Sequence, residues 1–160
     1  MSDFFPLLSN AFWSGLAALG FGLLFKIPQR VILTVFILGF LAGFIKFYAL
    51  HQKFDIAIAT FLAALSVGFL AIGFARRVAK PTVVFMIPAI IPMIPGYFAY
   101  QVILNIQKFI FFHDTASNLI YLNHIFYNAF MTLIILFAIS LGVSLPMLIV
   151  GKDMTRRLKE

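Results

Sequence analysis

The stretch Ile87–Gly96, IPAIIPMIPG, places three prolines and a terminating glycine inside an apolar run long enough to cross a bilayer. Pro88, Pro92 and Pro95 each lack the amide hydrogen that a helix needs for its bond to the carbonyl four residues earlier. Hydrocarbon offers these carbonyls no partner, and irregular backbone at membrane depth persists only where protein buries it or water reaches it. The stretch therefore predicts a membrane-spanning helix that breaks, an arrangement that transporters use to hold small polar solutes.

The rest of the chain has the composition of an integral membrane protein, with 63% hydrophobic and 11% charged residues among 160. Five nearly uncharged stretches each approach the roughly 20 residues of a spanning helix. They are residues 4–25, 31–50, 56–75, 82–104 and 126–150, the last preceded by a tilted or interfacial lead-in from residue 115. The sequence therefore predicts an all-α, polytopic membrane protein of five transmembrane helices with a Pro/Gly-broken fourth helix. With short loops throughout, residues 1–160 are expected to form a single membrane domain.

The net charge of +7 lies at the edges of these spans, which argues against nucleic-acid binding. Five spans with the N-terminus outside place nine basic residues on the cytoplasmic side: Lys26, Arg30, Arg76, Arg77, Lys80, Lys152, Arg156, Arg157 and Lys159. Lys46, Lys53 and Lys108 then face outward. This asymmetry predicts an external N-terminus and a cytoplasmic C-terminus by the positive-inside rule. Four of the residues, Lys26, Arg30, Arg76 and Arg77, are candidates for a basic vestibule that attracts anionic solutes. The alternative is that they only anchor the helices to lipid phosphates.

Small residues recur at helical spacing in four of the spans, and such residues let helix backbones approach closely in lipid. The sets are Ser14, Ala18 and Gly22; Gly39 and Gly43; Thr60, Ala64 and Gly68; and Ala138, Gly142 and Pro146. We expect most of them to be packing seams. A seam that faces outward would be expected to meet another subunit, either a second copy or a different chain.

Catalytic and metal-binding chemistry is poorly represented in this chain. No Asp or Glu lies within a predicted span, and there is no cysteine. His51, His113 and His124 share no spacing typical of a metal site, and no nucleophile has a neighbouring base. The sequence therefore predicts neither an enzyme nor a bound metal or cofactor.

The restart of the broken helix offers a site for an anion. The amides of Gly96, Tyr97 and Phe98 would be unpaired and would carry the positive end of the helix dipole, which suits a carboxylate. Side-chain hydrogen bonds would come from Tyr97, Tyr100, Gln101 and Asn105, and a second polar face is formed by Ser117, Tyr121, His124 and Asn128. The alternative is a kinked packing helix that binds no ligand.

Two long segments resemble a known family. TFLAALSVGFLAIGFARR (60–77) and KPTVVFMIPAIIPMIPGYFAY (80–100) resemble the second membrane domain of the threonine/serine exporter family. The resemblance extends from GFGLLFKIPQR (20–30) to SLGVSLP (140–146), and over its whole length the chain is similar to the small free-standing subunit of the split form, the YjjB type. The IPxxPGxxAY element is the most specific part.

This resemblance implies a ten-helix exporter of the bacterial cytoplasmic (inner) membrane, divided over two chains. The larger partner would be of the YjjP type, and the solutes would be threonine and serine or, for the split pair, succinate. The positions that it implies are Pro88, Pro92, Pro95, Gly96, Tyr100, Arg30, Arg76, Asn128, Ser140 and Ser144. The chain departs from the family pattern at Lys26, where relatives often have Asn, and at Gly43 and Lys46, where they often have His and Arg. If export is proton-driven, the lack of acidic residues in the spans predicts that the coupling group lies on the partner.

Two other functions remain open at the level of sequence. One is a non-transporting membrane scaffold that stabilises a larger transporter subunit, and the other is an uncoupled anion channel. The solute, the energy source and the subunit stoichiometry are not specified by the residues.

Overall fold

The computed structural model describes residues 4–78, 80–111 and 115–157, with side chains described at 4–78, 80–111 and 118–150. Over these residues it contains helices and no strands, which confirms the all-α prediction. The helices are α1 (Phe4–Leu24), α2 (Gln29–His51), α3 (Ile56–Val78), α4 (Val83–Ile90), a 3₁₀ turn (Ile91–Met93), α5 (Gly96–Phe111) and α6 (Thr115–Arg157).

Four unbroken helices, α1, α2, α3 and α6, are long and apolar enough to cross a membrane within the described ranges. The segments Val83–Met93 and Gly96–Phe111 meet the same criterion only together, as one span with a bend at the break. The prediction of a polytopic protein with a broken fourth span is therefore confirmed. The predicted lead-in from residue 115 is the first part of α6, whose 43 residues extend about 65 Å, roughly twice the hydrocarbon thickness.

Backbone contacts divide the chain into two compact units. One comprises Met1–Met93 with Ala138–Glu160, and the other is Ile94–Phe137. In the first unit, α2 is central because it contacts α1, α3 and α4. The second unit consists of α5 and the first part of α6.

Small residues account for the close packing of α1 on α2. A Cβ atom on Gly43 would lie 2.6 Å from the Cβ of Ser14, and one on Gly39 would overlap Ala18. Because the residue numbers rise on one helix as they fall on the other, the two helices are antiparallel. This seam is therefore occupied within the chain.

Small residues also allow α3 to pack closely on the C-terminal part of α6. A Cβ on Gly68 would lie 2.8 Å from Pro146, and one on Gly142 would lie 2.8 Å from Ala64. Here the numbers rise together, so the two segments run parallel. Arg76 and Arg77 at the end of α3 consequently lie at the same end of the first unit as the end of α6, where Lys152, Arg156 and Arg157 occur.

The turn between α1 and α2 lies at this basic end as well. Residues Phe25–Pro28 and the first turns of α4 line a common cavity of about 360 Å³, which fixes their proximity. Lys26 has φ of 53°, a left-handed conformation that is uncommon for lysine. Lys26 therefore lies at the same end of the first unit as Arg76 and Arg77.

Candidate functional site

The helix break follows Met93 rather than the first proline. Pro88 lies within α4, the 3₁₀ turn ends at Met93, and Ile94 and Pro95 separate it from α5. The amide of Gly96 donates to the carbonyl of Ile94 at 2.8 Å, so the expectation that this amide is unpaired is wrong. The tight turn at Pro95 places the Ile94 carbonyl close enough to accept it. Among the described residues, the amides of Tyr97 and Phe98 have no backbone acceptor.

Lys46 reaches the break from α2. Its ammonium donates to the carbonyl of Met93, the last residue of the 3₁₀ turn, over an N–O distance of 3.5 Å. The side chain is half-buried and lies within α2, five residues before that helix ends at His51. The predicted second span, residues 31–50, already contained Lys46, and α2 has nearly the same extent. The assignment of Lys46 to the outer side of the membrane stays a prediction.

The second unit contains a polar groove between α5 and the first part of α6. We call it the amide groove. Its volume is about 340 Å³, within the usual range of small-molecule sites. It is lined by Tyr97, Phe98, Gln101, Asn105, His124, Tyr127 and Asn128.

Two asparagines form the buried part of the amide groove. Asn105 and Asn128 are each 7% exposed and belong to different helices. The Asn105 side-chain amide donates to the Gln101 carbonyl at 2.7 Å, and that of Asn128 donates to the His124 carbonyl at 2.6 Å. Each bond uses one of the two amide hydrogens, so every asparagine keeps a second N–H and an oxygen for another partner.

The arrangement offers hydrogen-bond donors and acceptors within two apolar helices. Asn105 and Asn128 supply both, Gln101 adds a third amide, and Tyr97 and Tyr127 add hydroxyl groups at the rim. Burying such groups in an apolar medium is costly unless they are hydrogen-bonded. A small polar solute or water within the groove would provide those bonds.

The structure brings together only some of the residues singled out from the sequence. Tyr97, Gln101, Asn105, His124 and Asn128 line the same groove, although they come from two separate sequence patterns. The other singled-out positions lie elsewhere or outside the described side chains: Pro88, Pro92, Pro95, Gly96, Tyr100, Ser117, Tyr121, Ser140 and Ser144.

The proline and glycine positions shape the backbone. Pro88 lines the apolar cavity beside Lys26, and Pro95 is buried. A Cβ added to Gly96 would meet no atom within 4 Å, so no close contact requires glycine there. Tyr100 is 57% exposed and is not part of the groove lining.

The proposed vestibule residues are all exposed. Lys26 borders the cavity of about 360 Å³, whose remaining lining is apolar. Arg30 lies in the first turn of α2, and Arg76 and Arg77 lie in the last turn of α3. The structure therefore shows basic side chains around one end of the first unit.

Sequence reasoning missed the contributions of three side chains. Phe98 and Tyr127 line the amide groove beside residues that were identified, and the helical spacing of three between His124 and Tyr127 was an available signal. Lys46 was counted as an edge residue although it interrupts an otherwise uncharged run. That interruption was the signal that its charge lies within a span.

Comparisons with known proteins identify the family of this chain. The family model described as "Threonine/Serine exporter, ThrE" matches residues 10–149. An uncharacterized protein of Haemophilus influenzae (strain ATCC 51907 / DSM 11121 / KW20 / Rd) is 32% identical over 140 residues, which cover 88% of this chain and 46% of the relative. The chain thus spans less than half the length of that relative. No solved structure matches it. On the family match, the chain belongs to the threonine/serine exporter (ThrE) family.

Proposed function

We propose that this chain is the small subunit of a two-component secondary exporter that moves small carboxylate-bearing metabolites, succinate or threonine and serine, out of the cytoplasm. Membership of an exporter family indicates a transporter. The observation that supports a solute site is the amide groove, a mixed polar surface on two helices of otherwise apolar composition. An apolar packing contact between α5 and α6 would not need two buried asparagines.

The amide groove suits solutes of this class. A carboxylate accepts hydrogen bonds from the free amide hydrogens of Asn105 and Asn128 and from the Gln101 amide. The side-chain oxygens of the same residues accept bonds from a hydroxyl or ammonium group. Hydrogen bonds to a charged group contribute about 1.5–3 kcal/mol each, so two or three of them suffice for millimolar to micromolar binding.

We propose a larger membrane subunit of the same family, of the YjjP type, as the partner. More than half of the Haemophilus relative lies outside the matched region, so that protein carries further sequence beside a segment like this one. An odd number of spans in each half would give two oppositely oriented halves, the arrangement of inverted-repeat transporters. Because basic residues group at one end, the proposed orientation has this end in the cytoplasm and the N-terminus outside the bacterial inner membrane.

The test is export from cells loaded with labelled succinate, threonine or serine. The proposal predicts faster export when this chain and the partner are produced together than with either alone. Equal export by the partner alone would favour the scaffold function. Downhill flux that ignores the proton gradient would favour an uncoupled anion channel, and no change for any of the three solutes would contradict the proposal.

A further inference from the structure

Lys46 is a cation in a region where cations are costly. It lies within α2, five residues before that helix ends, and the cost of about 2.5–3.5 kcal/mol that insertion scales give for a lysine at the centre of a spanning helix is an upper bound at this depth. Such residues are usually functional or reach the nearest membrane surface. The geometry of Lys46 separates these two cases.

The ammonium reaches toward the interior of the span. Side chains on a helix lean toward the N-terminus of that helix, which for Lys46 is away from the nearer end at His51. Its acceptor, Met93, follows the start of α4 at Val83 by about 15 Å of helix, roughly half the hydrocarbon thickness. Lys46 is therefore directed at the break instead of at the nearer surface.

The charge has no matching anion in the spans of this chain. The acidic residues of the sequence are Asp3, Asp55, Asp114, Asp153 and Glu160, none of which lies within a predicted span. Within the described residues, the single hydrogen bond of the ammonium is the one to Met93. At 3.5 Å it is longer than the 2.7–2.9 Å of a typical charge-assisted bond. The side chain is thus held weakly by a neutral acceptor.

We propose that the Lys46 ammonium is a second carboxylate-binding position for the exported solute, in the first unit and additional to the amide groove of the second unit, and that the Met93 carbonyl holds the ammonium when no solute is present. This inference rests on the proposed function, because it requires a carboxylate-bearing solute. A carboxylate is a stronger acceptor than a neutral carbonyl, so the exchange favours the solute. On release, the ammonium returns to Met93 and is not left without an acceptor.

The experiment compares K46Q and K46R in inside-out membrane vesicles that contain this chain and its partner. Uptake of labelled succinate, threonine and serine into the vesicles gives KM and the maximal rate. Gln keeps a hydrogen-bond donor for Met93 but removes the charge, while Arg keeps the charge. Uptake by the wild-type chain with its partner identifies the transported solute. Inhibition of that uptake by the carboxylate and carboxamide forms of the solute, for example succinate and succinamide, measures carboxylate selectivity.

The inference predicts that K46Q raises KM about ten- to a hundredfold, as expected for one lost charged hydrogen bond, and removes the preference for carboxylate over carboxamide. K46R is expected to keep KM within a few fold of the wild-type value and to retain the preference for carboxylate over carboxamide. Wild-type KM and selectivity in K46Q would overturn the inference, because the donor to Met93 would then suffice. An equal loss in K46R and K46Q would overturn it as well. If the wild-type pair transports none of the three solutes, the proposed function fails first, and the inference fails with it.

Discussion

Replacement of Gly142 by alanine should destabilise the first unit by an amount that follows from the α3–α6 contact. The added Cβ would lie 2.8 Å from the Cβ of Ala64, 2.9 Å from the Phe61 carbonyl oxygen and 3.0 Å from the Leu65 amide nitrogen. Two of these atoms belong to backbone, so the helices must separate. Overpacking of this kind costs about 1–3 kcal/mol.

Gly73 on α3 is the matched control because a Cβ there would meet no atom within 4 Å. Both substitutions gain the same helix propensity, about 1 kcal/mol relative to glycine. The difference between them therefore isolates the overpacking cost. For a chain of this size, 1 kcal/mol shifts the melting temperature by about 2–4 °C, so G142A should melt about 2–12 °C below G73A.

The assay is thermal unfolding of the purified variants in one detergent, followed by helical circular dichroism. A double variant, G142A with A64G, removes the side-chain contact but leaves both backbone contacts, so it should recover only part of the loss. Equal melting temperatures for G142A and G73A would refute the close approach of the helices. Complete recovery in the double variant would refute the role of the two backbone atoms.

Three further predictions concern transport by the chain with its partner. N128L should raise the KM of the transported carboxylate about ten- to a hundredfold, because a hydrogen bond to a charged group is lost. The control is N123L, at an exposed position on α6 outside the amide groove, which should leave KM unchanged. Similar kinetics for the two variants would argue against the groove as the solute site. P95A restores a backbone amide at the break and favours a continuous helix by up to about 3 kcal/mol. Uptake into vesicles should therefore fall sharply while the amount of folded protein stays constant. Normal uptake would show that transport does not need the break. Replacing Arg76 and Arg77 by glutamine should slow uptake a few fold at 0.01 M salt and leave it unchanged at 1 M salt, because the electrostatic screening length falls from about 30 Å to about 3 Å. Slower uptake that persists at 1 M salt would exclude attraction of anions as the cause.

The spans were predictable because composition and periodicity act locally. Runs of about 20 apolar residues, ended by charges or prolines, predicted α1, α2 and α3 to within three residues of their bounds, whereas α5 and α6 both continue seven residues beyond the ends of the predicted spans. The location of the break within IPAIIPMIPG was less predictable. Pro88 remains inside α4 because its ring is tolerated once neighbouring helices pack around it, and Pro88 is buried.

The pairing of side chains across helices was not predictable from one sequence. The spacing of Gln101 and Asn105 predicted a polar face, and so did the spacing of His124 and Asn128. Only the structure shows that both faces line one groove. The Lys46–Met93 bond joins residues 47 positions apart, a distance over which no local rule acts.

Thiol labelling tests directly whether the amide groove binds the solute and is accessible to water, because the chain contains no cysteine. N128C places one thiol in the groove, and F130C, at a position 61% exposed and outside the groove lining, is the control. In membranes that contain the partner, a hydrophilic thiol reagent should label N128C much faster than F130C, because an exposed apolar position on a spanning helix is expected to face lipid. The transported carboxylate, at a concentration well above the KM of the N128C variant, should slow labelling of N128C alone. Equal labelling of both positions, or labelling of N128C that succinate, threonine and serine all leave unchanged, would contradict the account.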